Sequence, residues 1–235
     1  MTRIFLSGTL SHYEITKGDL YHLEKVLRMR VKDELEVVLE GKIYHAMIES
    51  FSPFFVSIQD EIDEHRELPF PVTLLYCLAK GDKTDWVMQK AVELGISRVV
   101  GVISSRTVVK LDAKEREKKA ERYGKIMREA AYQCKRSVLP VMEGIIDFKE
   151  ISSYLGKHNY IAYEEESLHG TMLKGPFSGP ITILIGSEGG FSKEEVEKAI
   201  EQGFEAISLG KRILRSETAA IASLATLAYL LEEDV

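Results

Sequence analysis

Two neighbouring stretches near the end of the chain decide the fold: ILIGSEGGFSKEEVEKAI, residues 183–200, and LGKRILRSETAAIASLATLAYLL, residues 209–231. Each begins with apolar residues that reach a glycine, passes through a polar loop and ends in a helix. In the first, Ser192 and Glu195 have the spacing of a capping box, so a helix starts at Lys193 and SEGGF is a tight strand-to-helix turn. Gly189 and Gly190 permit close approach of the backbone there. Alone, SEGGF reads as an ordinary turn. The second loop shifts that reading, because it sets Lys211, Arg212 and Arg215 around Ile213 and Leu214, joining charge to apolar surface as a ligand cradle requires. Its helix carries Ala219, Ala220, Ala222, Ala225 and Ala228, small residues that admit a passing loop or a partner subunit.

Outward from these stretches, strands and helices alternate from Val72 onward. VTLLYCLA is a buried strand and TDWVMQKAVELG a helix with Trp86, Val87, Ala91 and Leu94 inward, stopped by Gly95. Then come the strand RVVGVIS, a basic helix over 113–134, LPVMEGI, a short helix over 148–155, NYIAYEE, and the two quoted stretches. This alternation predicts an α/β fold with a mainly parallel sheet covered on both faces, its ligands lying beyond the carboxyl ends of the strands. The earlier part differs. ELEVVLEGKIYHAMIESFSPFFVSIQD alternates with period two, and GDLYHLEKVLRMR places Leu20, Leu23, Val26 and Leu27 at helical spacing. A small β-barrel domain with one helix fits residues 1–68. The charge run and prolines of DEIDEHRELPFP mark its end, leaving 69–235 as the second domain.

Composition narrows the function classes. The hydrophobic fraction of 45% and charged fraction of 29% are those of a globular protein, and Cys77 and Cys134 have neither CxxC nor Cys/His spacing. A reducing, cytoplasmic compartment is expected, without membrane span or metal. The formal net charge of −6 argues against a polyanion partner, but residues 114–136 hold nine Lys or Arg against four Glu. That segment is either a solvated helix face or a nucleic-acid contact. Gly186, Gly189 and Gly190 do not form GxGxxG, Gly210-Lys211 is not followed by Ser or Thr, and Ser187 is not centred in GxSxG. Dinucleotide, NTP and nucleophile-elbow chemistries are therefore disfavoured.

LIGSEGGFSKEEVE and LGKRILRSETAAIA resemble the RsmE family of SPOUT methyltransferases, and the likeness extends through HLEKVLRMRVKDELEV, DWVMQKAVELGISRVV and REAAYQCKRSVLP to nearly the whole chain. One departure is Ser187, where the family usually has Pro. The resemblance implies a SPOUT trefoil-knot domain preceded by a PUA-like RNA-binding β-barrel. It also implies methylation of N3 of a uridine in small-subunit (16S) ribosomal RNA by S-adenosylmethionine, with a homodimer formed through the knot domain. The implied cofactor contacts are Leu184, Ile185, Gly186, Leu209, Gly210, Arg212, Ile213, Leu214, Arg215 and Thr218. Arg215 is expected to orient the base, and Glu188 or Glu217 to receive its proton or else to structure the loops. RNA contacts are expected at Arg28, Arg30, Lys32, Arg128, Gln133, Lys135 and Arg136, on naked rRNA or the 30S particle. Two other readings stand: methylation of another RNA, for instance at a ribose 2'-hydroxyl, and a non-catalytic RNA-binding assembly factor.

Overall fold

A computed structural model describes residues 1–164 and 171–233. The chain divides into two compact units, the first made of Met1–Glu67 with Ala131–Leu139 and the second of Leu68–Ala130 with Pro140–Val235. Residues 131–139 thus correct the expectation of a second domain running unbroken over 69–235. The reason is local. The Glu67 carboxylate accepts from the amides of Ser137 (2.8 Å) and Val138 (3.0 Å), the Ser137 hydroxyl and the Arg136 guanidinium. Burial raises the Glu67 pKa, but these donors outweigh it and hold the carboxyl below its ordinary value. Tyr132 stacks on Phe5 and donates to Asp19, and Arg3 donates to the Lys135 carbonyl.

The first unit contains β1 (Arg3–Phe5), β2 (Ser7–Thr9), β3 (His12–Glu14), α1 (Lys17–Tyr21), β4 (Glu34–Leu39), β5 (Lys42–Phe51) and β6 (Phe54–Ile62). The sheet order is β1-β4-β5-β6, with β1 parallel to β4 and the rest antiparallel, and β2 and β3 form a separate hairpin. Alternate residues Leu35, Val37 and Leu39 of β4 turn inward against Ile4, Leu23, Ile48 and Val56. Each such side chain contributes about 1.5–3 kcal/mol through removal from water. The expected long helix over 18–30 is shorter. After α1 the backbone passes into a π turn over His22–Val26, in which the Leu27 amide donates to the His22 carbonyl. That wider turn breaks the helical spacing. Leu23 remains buried, Leu20 is half-buried, and Val26 and Leu27 face solvent instead of the core.

The second unit holds β7 (Val72–Cys77), α2 (Lys83–Glu93), β8 (Arg98–Ile103), α3 (Ala113–Gln133), β9 (Val141–Asp147), a 3-10 turn (Phe148–Tyr154), β10 (His158–Ala162), β11 (Ile181–Ile185), α4 (Lys193–Glu201), β12 (Glu205–Ile207) and α5 (Ser216–Glu233). The last three residues of α3 belong to the first unit. Six strands form one parallel sheet in the order β12-β10-β11-β7-β8-β9. From β7 the chain adds β8 and β9 on one side, crosses to lay down β10 on the other, and later inserts β11 between β10 and β7. β7 and β11 are buried along their whole length, as expected of central strands covered on both faces. Val87, Met88, Ala91 and Val92 bury one face of α2; Trp86, expected inward, lies off that face and is 45% exposed. α5 packs Ala219, Ala220, Ser223, Leu224, Leu227 and Leu231 inward, and it is α2 that lies alongside it. The last three residues of the expected strand NYIAYEE fall differently: Tyr163 and Glu164 stand beyond β10, and Glu165 lies outside the described residues.

Candidate functional site

The two quoted stretches meet in space. A cavity of about 400 Å³ opens at the carboxyl ends of β10 and β11, walled by Gly186–Phe191 after β11, by Leu209, Gly210 and Arg212–Ser216 after β12, by Ala162–Glu164 after β10, and by Lys83 of α2. Inserting β11 between β10 and β7 produces the crevice, since a reversal of strand order separates the loops on either side of it. Ser216, the first residue of α5, fastens the walls together. Its Oγ donates to the Gly186 carbonyl at 2.7 Å and shares a 3.0 Å hydrogen bond with the Tyr76 hydroxyl. Burial pushes the Tyr76 phenol up, so it stays protonated and available to this bond.

The loop after β11 is shaped by its glycines. A side chain on Gly186 would come within 3.1 Å of the Phe191 ring, and Gly190 has φ +65° with a built Cβ only 2.9 Å from a Glu164 carboxylate oxygen. The capping box read from the sequence starts α4: Ser192 Oγ accepts from the Glu195 amide, and Glu195 Oε2 accepts from the Ser192 amide at 3.0 Å. Opposite lies the cationic segment. Arg212, Ile213 and Arg215 are exposed at the rim, and Ile213, at 81% exposure, is an apolar side chain standing in solvent.

Electrostatically the site is a balance. Glu188 Oε1 accepts from the Lys80 amide at 3.1 Å and from Lys83 Nζ at 3.2 Å. Burial works against ionisation of Glu188, yet the amides of Glu188 and Lys80 and the Lys83 ammonium together hold its pKa below the ordinary value. Lys83 also faces Glu217 Oε2 at 3.7 Å; that oxygen is buried and accepts no hydrogen bond from the described residues.

Of the residues expected to hold a cofactor, Ile185, Gly186, Leu209, Gly210, Arg212, Ile213, Leu214 and Arg215 line the cavity. Leu184 and Thr218 do not. Leu184 packs into the core with Leu75 and Val100, and Thr218 is exposed on α5. Of the expected catalytic groups, Arg215 and Glu188 line the cavity and Glu217 sits behind Lys83. Lys83 and Glu164 were missed. Their signal was position, since both follow strands at the carboxyl edge where ligands of parallel sheets lie.

The expected RNA contacts are more divided. Arg28, Arg30 and Lys32 are exposed in the segment before β4, where Arg28 and Lys32 have positive φ and Lys32 pairs with Glu49. Gln133 is exposed and Arg128 half-buried. Lys135 is half-buried, 3.5 Å from Glu36. Arg136 departs from expectation: it is 4% exposed and its guanidinium is held by Glu67, because a cation this deep needs a carboxylate partner. Its role in the fold is internal.

Residues 66–228 match the family model of the RNA methyltransferase domain. A protein of Bacillus subtilis (strain 168), ribosomal RNA small subunit methyltransferase E, is 34% identical over 99% of this chain and 98% of its own length. The relative of that name from Synechocystis sp. is 31% identical over 93% of this chain and 73% of its own. Among solved structures, ribosomal RNA small subunit methyltransferase E from Neisseria gonorrhoeae, bound to S-adenosyl methionine, superposes with TM-score 0.86 at 30% identity, covering 98% of both chains. A Legionella pneumophila protein solved in complex with the bound cofactor SAM gives TM-score 0.85 at 28% identity over 97% of both chains.

Proposed function

The chain belongs to the RNA methyltransferase family that includes ribosomal RNA small subunit methyltransferase E, and from that premise we propose that it methylates N3 of a uridine in small-subunit ribosomal RNA, using S-adenosylmethionine. One observation carries this reading: a single cavity walled by both loops at the carboxyl ends of the parallel strands. Its volume is within the ~300–1,000 Å³ of small-molecule pockets. The residues suit a zwitterionic nucleoside, since backbone groups of Ile185–Gly186 and Leu209–Gly210 can meet a base edge, while Lys83, Arg212, Glu164 and Glu188 offer both signs of charge.

S-adenosylmethionine supplies an electrophilic methyl group carried on a positively charged sulfur. The protein must hold the uracil ring against it and help N3 lose its proton, because the neutral ring nitrogen is a poor nucleophile. Arg215, at the rim, orients the base and stabilises the anion that develops on it. Glu188 faces the cavity and Glu217 keeps an oxygen without a hydrogen bond from the described residues; the proton goes to one of this pair, both held by Lys83. Arg28, Arg30, Lys32, Arg128, Gln133 and Lys135 position the RNA through its phosphates. The first unit is read as a PUA-like barrel. The second is read as a trefoil knot, supported by the insertion of β11 and by the return of Ser216 to Gly186 and Tyr76. A homodimer through the knot domain completes the reading, and a protein sedimenting as a monomer at micromolar concentration would count against it.

The test is transfer of labelled methyl to small-subunit rRNA, naked and in 30S particles, followed by nucleoside identification. N3-methyluridine is the expected product. A ribose-methylated nucleoside would move the activity to another target, and RNA binding without transfer or any heat with S-adenosylmethionine would leave an assembly factor.

A further inference from the structure

The turn after β8 reaches across to the glycine-rich loop at two points and to the start of α4 at a third. Ser187 Oγ donates to the Arg106 carbonyl at 3.2 Å, Arg106 Nη1 donates to the Gly189 carbonyl at 2.9 Å, and the Ser105 amide donates to Glu195 Oε1 at 2.7 Å. The turn itself is closed, because the Ser104 amide donates to Thr107 Oγ1 at 3.0 Å, the two hydroxyls lie 2.9 Å apart, and the Thr107 amide donates to the Ser104 carbonyl at 3.1 Å. A closed turn is therefore bonded to the beginning and middle of the loop and to the first turn of α4 that follows it. The packing agrees, since a Cβ at Gly189 would come within 3.1 Å of the Arg106 Cβ. Arg106 itself is exposed and is absent from the cavity walls.

A loop with two adjacent glycines samples many conformations, and binding must pay to choose one of them. Ser187 has no ring to fix its own φ, so the hydroxyl bond to Arg106 does that work from outside. We infer that Arg106 and Ser187 pre-organise the cofactor-binding loop, making Arg106 a positioning residue for cofactor affinity that acts through the wall residues Ser187 and Gly189 and does not itself line the cavity. This inference rests on the function proposed above. The two bonds are separable. Arg106→Ala removes the guanidinium contact and leaves the carbonyl that Ser187 uses; Ser187→Ala does the reverse.

The experiment is calorimetric titration of Arg106→Ala, Ser187→Ala and the double variant with S-adenosylmethionine, beside amide hydrogen exchange of residues 187–191 in the cofactor-free proteins. Each single variant should weaken affinity by about three- to tenfold, the factor corresponding to the net worth of one hydrogen bond. Exchange at Gly189 and Gly190 should accelerate, the melting temperature should stay within a few degrees, and Arg106→Lys should recover part of the affinity. Affinities within twofold of the parent protein, or unchanged exchange, would overturn the inference. If the parent protein gives no heat with S-adenosylmethionine, the proposed function fails, while hydrogen exchange still decides whether the turn orders the loop.

Discussion

The ammonium of Lys83 lies 3.2 Å from Glu188 Oε1 and 3.7 Å from Glu217 Oε2, so one cation serves a carboxylate of the loop after β11 and one of the first turn of α5. Lys83→Met leaves those carboxylates facing each other without it, and the carboxyl of Glu188 should rise toward its ordinary value. The sign follows from linkage. A depressed folded pKa contributes stability above the ordinary carboxylate value, and that stability is lost as pH falls through the depressed one. The variant should therefore lose its acid-side margin at higher pH than the parent. Carboxyl NMR titration reads this directly, and identical Glu188 curves would refute the coupling.

Arg215→Ala should reduce methyl transfer by about 100-fold or more while S-adenosylmethionine affinity changes only a few-fold, because a cation aimed at developing charge acts on the transition state. Single-turnover rates with cofactor saturating make the measurement. Full turnover would remove Arg215 from its role.

Glu67→Gln should destabilise the first unit by about 3–5 kcal/mol, because it removes the carboxylate charge that the buried Arg136 guanidinium and the amides of Ser137 and Val138 share. Urea unfolding followed by the fluorescence of a tyrosine in that unit reports the loss. A change below about 1 kcal/mol would mean that the Glu67 charge is not what holds this part of the unit together.

Gly190→Ala places a methyl group 2.9 Å from a Glu164 oxygen at φ +65°. Roughly 1–2 kcal/mol of strain is expected, read as weaker cofactor binding with α4 still formed. Unchanged binding would show that the loop has room to relax.

Removing Arg28 or Arg30 should weaken RNA binding for all sequences alike and make the salt dependence shallower by about one counterion each. Filter binding from low to moderate salt measures the slope. A slope unchanged in both variants would place the phosphates elsewhere.

Much of the second unit was legible because its central strands are uninterrupted apolar runs: Val72–Cys77 and Ile181–Ile185 bury both faces, a pattern no amphipathic helix produces. The capping box of Ser192 and Glu195 was legible for the same kind of reason, being a local bond between residues three apart. Strand order was not. Alternation says that β11 is parallel, and nothing in its own residues says that it enters between β10 and β7. Residues whose partners are distant in sequence were equally silent: Arg136 reads as a surface cation until Glu67 is seen, and Lys83 as a helix-start lysine until Glu188 is seen. Trp86 and Val26 looked apolar enough to be core. In each case the backbone turned them to solvent, for Val26 through the π turn, whose period the helical pattern does not contain.

The fastening of Ser216 to Gly186 and Tyr76 has a bearing on biogenesis. A nascent polypeptide that has emerged only as far as α4 possesses the sheet's central strands and one wall of the crevice, but lacks the latch. Ligand capture is thus deferred until α5 has followed α4 out of the ribosome, whichever parts of the second unit fold earlier.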